Sequence, residues 1–340
     1  MSHDRTSIIP PQVLPWIHNR SSNTFPDLKM RSTSEKLDYA IVDVFTDKRY
    51  EGNPLAIVRL PASSKVTQGQ KQNIAREFNL SETTFLHEPL SDDPSEWTVD
   101  IFMTHAELPF AGHPTIGTAC LALSEVAEKS NAQGIIQGRF NLKAGPVQLQ
   151  YDTAKKTAKA VIPHDVRVHD RTWSREELLA QQPALAESVG DNVKIPIVSI
   201  VKGMTFALIE LKSLDALEKV KLTTEVSVDG LDLGWDETFV GTYYYVQTSE
   251  SEGVRHLRTR MIEGSLEDPA TGSAASDLAA YLSLQLGKPG QTLEYAITQG
   301  VEMGRRSEIA VSVKMGAEKG IETITLGGGA IAVMEGRLQV

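Results

Sequence analysis

A short pattern occurs twice in this chain, and the duplication limits the possible folds more than any other feature. His113-Pro114-Thr115-Ile116-Gly117-Thr118-Ala119 and Asp268-Pro269-Ala270-Thr271-Gly272-Ser273-Ala274 both read x-Pro-x-x-Gly-(Ser/Thr)-Ala, with His113 and Asp268 155 residues apart. Glu82-Thr83-Thr84-Phe85 echoes Glu237-Thr238-Phe239 at the same offset, and Gly52 to Leu60 echoes Gly203 to Leu211 at 151. Three echoes in one order imply two related halves. The 340 residues agree, since such a length suits two cores of about 150 residues better than one.

Each repeated pattern is read as a helix start. Asp268 is the expected N-cap and Pro269 the first helical residue, because proline has no N–H to leave unpaired there. The free amides of the first turn, Gly272 among them, then form a small anion cradle. Helical spacing continues to about Leu286, where Gly287, Pro289 and Gly290 stop it. Strands are predicted at 39–45, 55–60, 80–86 and 97–102, with a helix at 68–79, and 145–151 with 159–162 form a hairpin. The second half repeats this order with strands at 195–201, 205–211, 238–247 and 255–262 and a short helix at 214–220. Strands at 309–313, 322–326 and 330–334 finish the chain, the last two separated by a Gly327-Gly328-Gly329 turn. The fold class is α+β. Each Ala-rich helix is expected inside its own curved sheet or barrel, with the two helix starts meeting where the halves join.

Composition removes several function classes. A net charge of −10 argues against nucleic acid or an anionic membrane as partner. No apolar run approaches the roughly 20 residues of a membrane helix. The single cysteine, Cys120, excludes a disulfide framework and a multi-cysteine metal site and points to a reducing, cytoplasmic setting. Residues 1–36 are polar and Ser/Pro-rich with no signal-peptide core, and are expected to be a flexible extension.

The chemical candidates are few. Glu82 follows Ser81 in a polar knot between a helix and a strand, where partial desolvation would raise its pKa and let it pass a proton both ways; the plainer reading is a solvated edge acid. His113 and Asp268 precede the prolines of the two patterns. Capping accounts for Asp268 equally well, whereas His113 is not a favoured cap. Ser273 is either a substrate contact or a first-turn hydroxyl bonded to backbone. If the two helix starts share a cleft, amides near Gly112 and Gly272 could hold a substrate carboxylate. His164 and His169 lack a third ligand for zinc. Cys120 sits on an apolar face and reads as a buried small residue, and Arg305-Arg306 as a solvated pair.

These residues resemble the PhzF-type phenazine-biosynthesis family, relatives of diaminopimelate epimerase. The matching stretches are Asp43-Val44-Phe45-Thr46, Gly52-Asn53-Pro54-Leu55-Ala56, Asn79 to Phe85, Glu107-Leu108-Pro109-Phe110-Ala111-Gly112-His113, Glu267 to Ala275, Gln299-Gly300, Met303-Gly304-Arg305 and Gly328-Gly329. The resemblance implies two similar, pseudo-two-fold lobes: 37–155, completed by a returning strand at about 327–340, and 156–326. It implies a homodimer that uses no metal or organic cofactor. Its best-known activity isomerises trans-2,3-dihydro-3-hydroxyanthranilate, moving a proton from C3 to C1. Glu82 would be the shuttle, with His113, Asp268, Ser273, Ser81 and the amides of Gly112 and Gly272 binding substrate. Epimerase relatives use two cysteines, which this chain does not have. An Arg-x-Phe-Thr-Pro pattern is replaced by Asp100-Ile101-Phe102-Met103-Thr104-His105, which would put an anion at the approach to the cleft; Gly304-Arg305-Arg306-Ser307 stands where Gly-Arg-Pro-Ser is usual. An epimerase or other rearrangement enzyme of secondary metabolism, and a non-catalytic ligand-binding or scaffold protein, are the alternatives.

Overall fold

The structure, a computed structural model, describes residues 35–340 except 90–94, 225, 236–238 and 319. Residues 1–34 of the expected extension, and Glu237 of the second echo, lie outside the described residues.

Seventeen described strands form one continuous sheet that follows similar courses through the two halves of the chain. The first begins with the antiparallel pair Lys36–Val44 and Asn53–Leu60, followed by helix α1 (Gln68–Phe78). Glu82–His87 then lies parallel to Asn53–Leu60 and antiparallel to Glu96–Met103. A short strand, Glu107–Leu108, leads into α2 (Gly112–Ser130), and Ile135–Leu142 returns parallel to Glu96–Met103. The second course repeats each step. Ile195–Val201 pairs with Met204–Glu210, α4 (Leu214–Glu218) follows, and Phe239–Ser251 lies parallel to Met204–Glu210 and antiparallel to Val254–Glu263. Leu266–Asp268 leads into α5 (Gly272–Leu286), and Thr292–Gln299 returns parallel to Val254–Glu263. Arg167–Trp173 and α3 (Arg175–Gln181) precede the second course.

The two long helices occupy the centres of these courses, so the fold is the α+β class of two similar lobes read from the sequence. α2 packs against strands 36–44, 53–60, 82–87, 145–152 and 157–161, and α5 against 195–201, 204–210, 292–299 and 307–315. Small side chains permit this enclosure. A methyl placed on Gly117 would stand 2.6 Å from Val44 Cγ2 and 2.8 Å from Leu55 Cδ2, and a core at crystal-like density has no room for it. Among the described residues no helix is long and apolar enough to cross a membrane.

Three local expectations are corrected. The three glycines make no turn, because Ile321–Gln339 is one strand that pairs in succession with Ser307–Met315, Thr157–Val161 and Lys36–Val44. Glycine is needed because a Cβ on Gly328 would lie 2.3 Å from the Phe45 ring. The helix starts also differ: α5 is capped at Thr271 and α2 at Ala111, so Asp268 ends a strand and His113 lies inside the first turn. Finally, the repeat has a different register. A Cβ on Gly112 would meet Gly272 Cα at 3.2 Å, and one on Gly272 would meet Gly112 Cα at 3.3 Å. The true counterparts are therefore Glu107-Leu108-Pro109-Phe110-Ala111-Gly112-His113 and Glu267-Asp268-Pro269-Ala270-Thr271-Gly272-Ser273, with Glu107 and Glu267 160 residues apart. His113 corresponds to Ser273, and Asp268 to Leu108.

The contact between helix starts yields a stability test. Leu326 Cδ2 lies 2.9 Å from a Cβ built on Gly112 and 2.8 Å from one built on Gly272. Gly272→Ala is expected to lose about 1–3 kcal/mol in denaturant unfolding, as overpacked core positions do, and Leu326→Ala should recover part of that loss in the double variant. A Gly272→Ala protein within about 0.5 kcal/mol of wild type would contradict the close contact.

Candidate functional site

Strand alternation sets the position of Glu82. Side chains at 82, 84 and 86 share one face, and that face looks toward α2, where Thr84 Oγ1 and Thr118 Oγ1 share a hydrogen bond of 2.9 Å. His113, in the first turn of α2, presents Nε2 at 3.7 Å from Glu82 Oε2. Both atoms are buried and neither has a hydrogen-bond partner among the described residues. The His113 ring is 5% exposed, and burial pushes its pKa down to about 4, opposed by the Asp268 charge. His113 is therefore neutral near pH 7, and its approach to Glu82 is a contact between unpaired atoms rather than an ion pair. Burial raises the Glu82 carboxyl above its usual range, and a hydrogen bond with the Ser81 side chain partly offsets this.

Asp268 is fixed by a network. Asn53 Nδ2 donates to Asp268 Oδ1 at 2.8 Å, and Thr271 Oγ1 donates to Oδ2 at 2.5 Å. Gln299 Nε2 donates to the Asp268 carbonyl at 2.8 Å, while Gln299 Oε1 accepts from the Tyr243 hydroxyl at 3.0 Å. Burial pushes Asp268 up to about 6, with Glu82 adding to the rise and His113, Thr271 and Asn53 opposing it. Asn53 is in turn held by the turn before it. Asp43 accepts from the Tyr50 amide at 2.6 Å and from Arg305 Nη2 at 2.7 Å, and Arg305 Nε donates to the Gly52 carbonyl at 2.7 Å. Arg305 is thus a buttress, not the solvated cation expected. Asn53, Thr271 and Gln299 were missed as site residues, although all three lie in the stretches that carry the family resemblance.

The helix starts complete the arrangement. The first-turn amides of Gly112, His113, Gly272 and Ser273 have no intrahelical acceptor, and the two starts touch at their glycines. Ser273 is half-buried in the first turn of α5, and Ser81 is exposed beside Glu82. Asp100 does not approach this cleft. It stands opposite Phe85 in the sheet, on the face away from Glu82, and is paired with Lys71 and, at 2.9 Å, His87. The expected anion at the cleft is thus neutralised within the protein. His169 also leaves its charged segment: its Nε2 lies 2.8 Å from Ser199 Oγ in the core, and Ser199 is fully buried. Cys120 is buried as expected, and burial pushes its thiol up to about 12. Among the described residues no three His, Cys, Asp or Glu side chains are grouped to hold a metal ion.

The PhzC-PhzF family profile, described as phenazine biosynthesis-like protein, matches residues 42–336. An uncharacterized isomerase of Mesorhizobium japonicum is 32% identical over 88% of this chain and 98% of its own. The trans-2,3-dihydro-3-hydroxyanthranilate isomerase of Pseudomonas aeruginosa is 30% identical over 88% of this chain and 98% of its own. Among solved structures, a phenazine biosynthesis protein of the PhzF family from Bacillus anthracis superposes with a TM-score of 0.70 at 23% identity, covering 90% of this chain and all of that one; at that identity the likeness concerns the fold.

One acid of α5 remains unpartnered. Asp277 follows Ser273 by one helical turn, is fully buried, and neither carboxylate oxygen has a hydrogen-bond partner among the described residues. Burial raises its pKa well above the usual carboxylate range. The unfolded chain ionises at about 3.9 while the folded chain stays protonated, so this residue's contribution to stability is intact below that pH and declines as pH rises toward the folded value. Asp277→Asn keeps the shape and removes the titration. Its unfolding free energy should overtake that of wild type as pH is raised from about 4 to about 8. Parallel pH curves for the two proteins would show that Asp277 is not protonated when folded.

Proposed function

Because the chain belongs to the phenazine biosynthesis-like PhzC-PhzF family, we propose that it is an isomerase that moves one proton by acid/base catalysis on a small carboxylate-bearing substrate, without metal or organic cofactor. The observation that carries this reading is the pair of buried, unpartnered atoms, Glu82 Oε2 and His113 Nε2, 3.7 Å apart. Leaving such groups unsatisfied costs free energy. A substrate that supplies the missing partners recovers it.

In the proposed reaction Glu82 begins ionised. It takes a proton from a substrate carbon, and the electron pair left behind spreads through the conjugated system onto the carboxylate. Amides at the starts of α2 and α5 stabilise that charge because they are oriented before the reaction begins. The protonated Glu82 then gives the same proton to a second carbon, and the double bonds shift accordingly. A carboxyl raised toward neutrality suits both half-steps, since it is neither too strong an acid to accept nor too weak to donate. Neutral His113 orients a substrate hydroxyl, Asp268 and Ser273 fix the ring, and Ser81 tunes Glu82. The substrate of the Pseudomonas aeruginosa relative, trans-2,3-dihydro-3-hydroxyanthranilate, has the required carboxylate and hydroxyl and is the first compound to test. On the same reading the chain works as a homodimer. Two-thiol epimerisation is disfavoured, because the chain has one cysteine and its thiol is held protonated.

Glu82→Gln keeps the side-chain shape and removes the base. With trans-2,3-dihydro-3-hydroxyanthranilate, kcat is expected to fall by about 10³-fold or more, with substrate affinity changed by less than about threefold. A variant that retains kcat within about tenfold would remove Glu82 from the chemistry, and wild type without turnover would favour a ligand-binding role.

A further inference from the structure

The proposed proton shuttle has a second acid as neighbour, and that acid belongs to no motif. Glu263 ends strand Val254–Glu263, where a tight turn leads to Leu266–Asp268. Its register partner is Leu266, while Met261 pairs with Asp268. Residues 261 and 263 share one face of a strand, so Glu263 projects from the same side of the hairpin as Asp268. The two lie diagonally opposed, about 7–8 Å apart at Cα by strand geometry. Its electrostatic neighbours are Glu82, which opposes its ionisation, and His105, which favours it. His105 belongs to the corresponding hairpin turn of the first half, between strands Glu96–Met103 and Glu107–Leu108. The turns of both halves therefore flank Glu82.

The charge balance there is unusual. Glu263 is partly buried, and no described residue gives it a hydrogen bond or an ion pair. Arginines nearby are already engaged: Arg260 binds Glu267 through two bonds of 2.8 Å, and Arg258 binds Glu302 at 2.9 Å. Both arginines alternate onto the opposite face of the strand. Glu82 thus has two acids as electrostatic neighbours, Asp268 and Glu263, and among the described residues no lysine or arginine is paired with any of the three. A ligand bound only through its carboxylate would add negative charge to this group. One that also carries an ammonium would relieve it.

We propose that Glu263 is a specificity-determining residue that receives the ammonium group of an amino-carboxylate substrate, while the amides at the starts of α2 and α5 hold its carboxylate. The assignment rests on the carboxylate-binding role given to the helix starts above. It also explains an acid placed within electrostatic reach of the shuttle, where the charge of Glu82 opposes ionisation of Glu263 and a cation between them would relieve that opposition.

The test is equilibrium binding to the full-length protein by titration calorimetry with two stable probes: trans-2-aminocyclohexanecarboxylate, which carries both groups, and cyclohexanecarboxylate, which lacks the amine. Wild type is expected to bind the amino acid at least about tenfold more tightly, the effect of one charge-assisted hydrogen bond. In Glu263→Gln the preference should shrink to about twofold or less, with cyclohexanecarboxylate bound as well as before or better. Glu263→Ala, read in the same way with its thermal midpoint, serves if the Gln variant does not fold. A preference retained in both variants, or no preference or no binding in wild type, overturns the proposal. No turnover is read, so failure of the proton-shuttle reading appears only in the kinetics of Glu82→Gln, and failure of this one only in these affinities.

Discussion

Two helix starts in van der Waals contact are the constraint on which the rest of the structure depends. Gly112 and Gly272 face one another, with the Leu326 side chain against both, so neither position can carry a Cβ without displacing backbone or core. The contact joins the ends where each helix leaves its amides unpaired and its dipole positive. Each helix is enclosed by strands of its own half, and the last strand runs from one enclosure to the other. The cleft is thereby fixed by the sheet, and loops contribute mainly the groups that trim it.

Burial then tunes Glu82, Asp268 and His113 in the same sense, toward their neutral forms. Glu82 and Asp268 rise and His113 falls, because a charge loses more solvation than a neutral group when water is excluded. An acid and an imidazole that would form an ion pair at a surface instead meet as two unpaired groups. Asp268 is partly protected from this by donors from Asn53 and Thr271. Those donors in turn depend on the Asp43–Arg305 buttress and on Gln299, residues far apart in sequence. What looks like scattered motif residues is one support for a single carboxylate.

Much of this was legible in the sequence, and the failures have physical causes. Periodicity located most strands and both central helices, since alternation and helical spacing report directly which face is buried. The repeat was detected in a false register because Gly117 matches Gly272 in pattern while serving a different purpose, packing against Val42, Val44 and Leu55. Proline suggested first helical positions that the chain gives to glycine two residues before Pro114 and three residues after Pro269. Gly327 to Gly329 looked like a turn, but close approach of the Phe45 ring explains glycine within a strand. Asp100 and Arg305 were misjudged for a common reason: a single sequence does not reveal which charges find partners across the sheet. Glu82, His113, Asp268 and Ser273 all lie in motifs that a sequence can display, and Glu263 does not, since a lone acid at a strand end carries no local signal.

A single carboxyl acting first as base and then as acid leaves a mark that other mechanisms do not. The measurement is turnover of trans-2,3-dihydro-3-hydroxyanthranilate deuterated at C3, in ordinary water, with the product examined by NMR at early conversion. Part of the label should reappear at C1, because a buried Glu82 holds the abstracted deuteron long enough to return it before solvent exchange is complete. Product containing only solvent hydrogen at C1, with the label lost entirely at every stage of conversion, would contradict a single shuttle and require separate groups for removal and delivery.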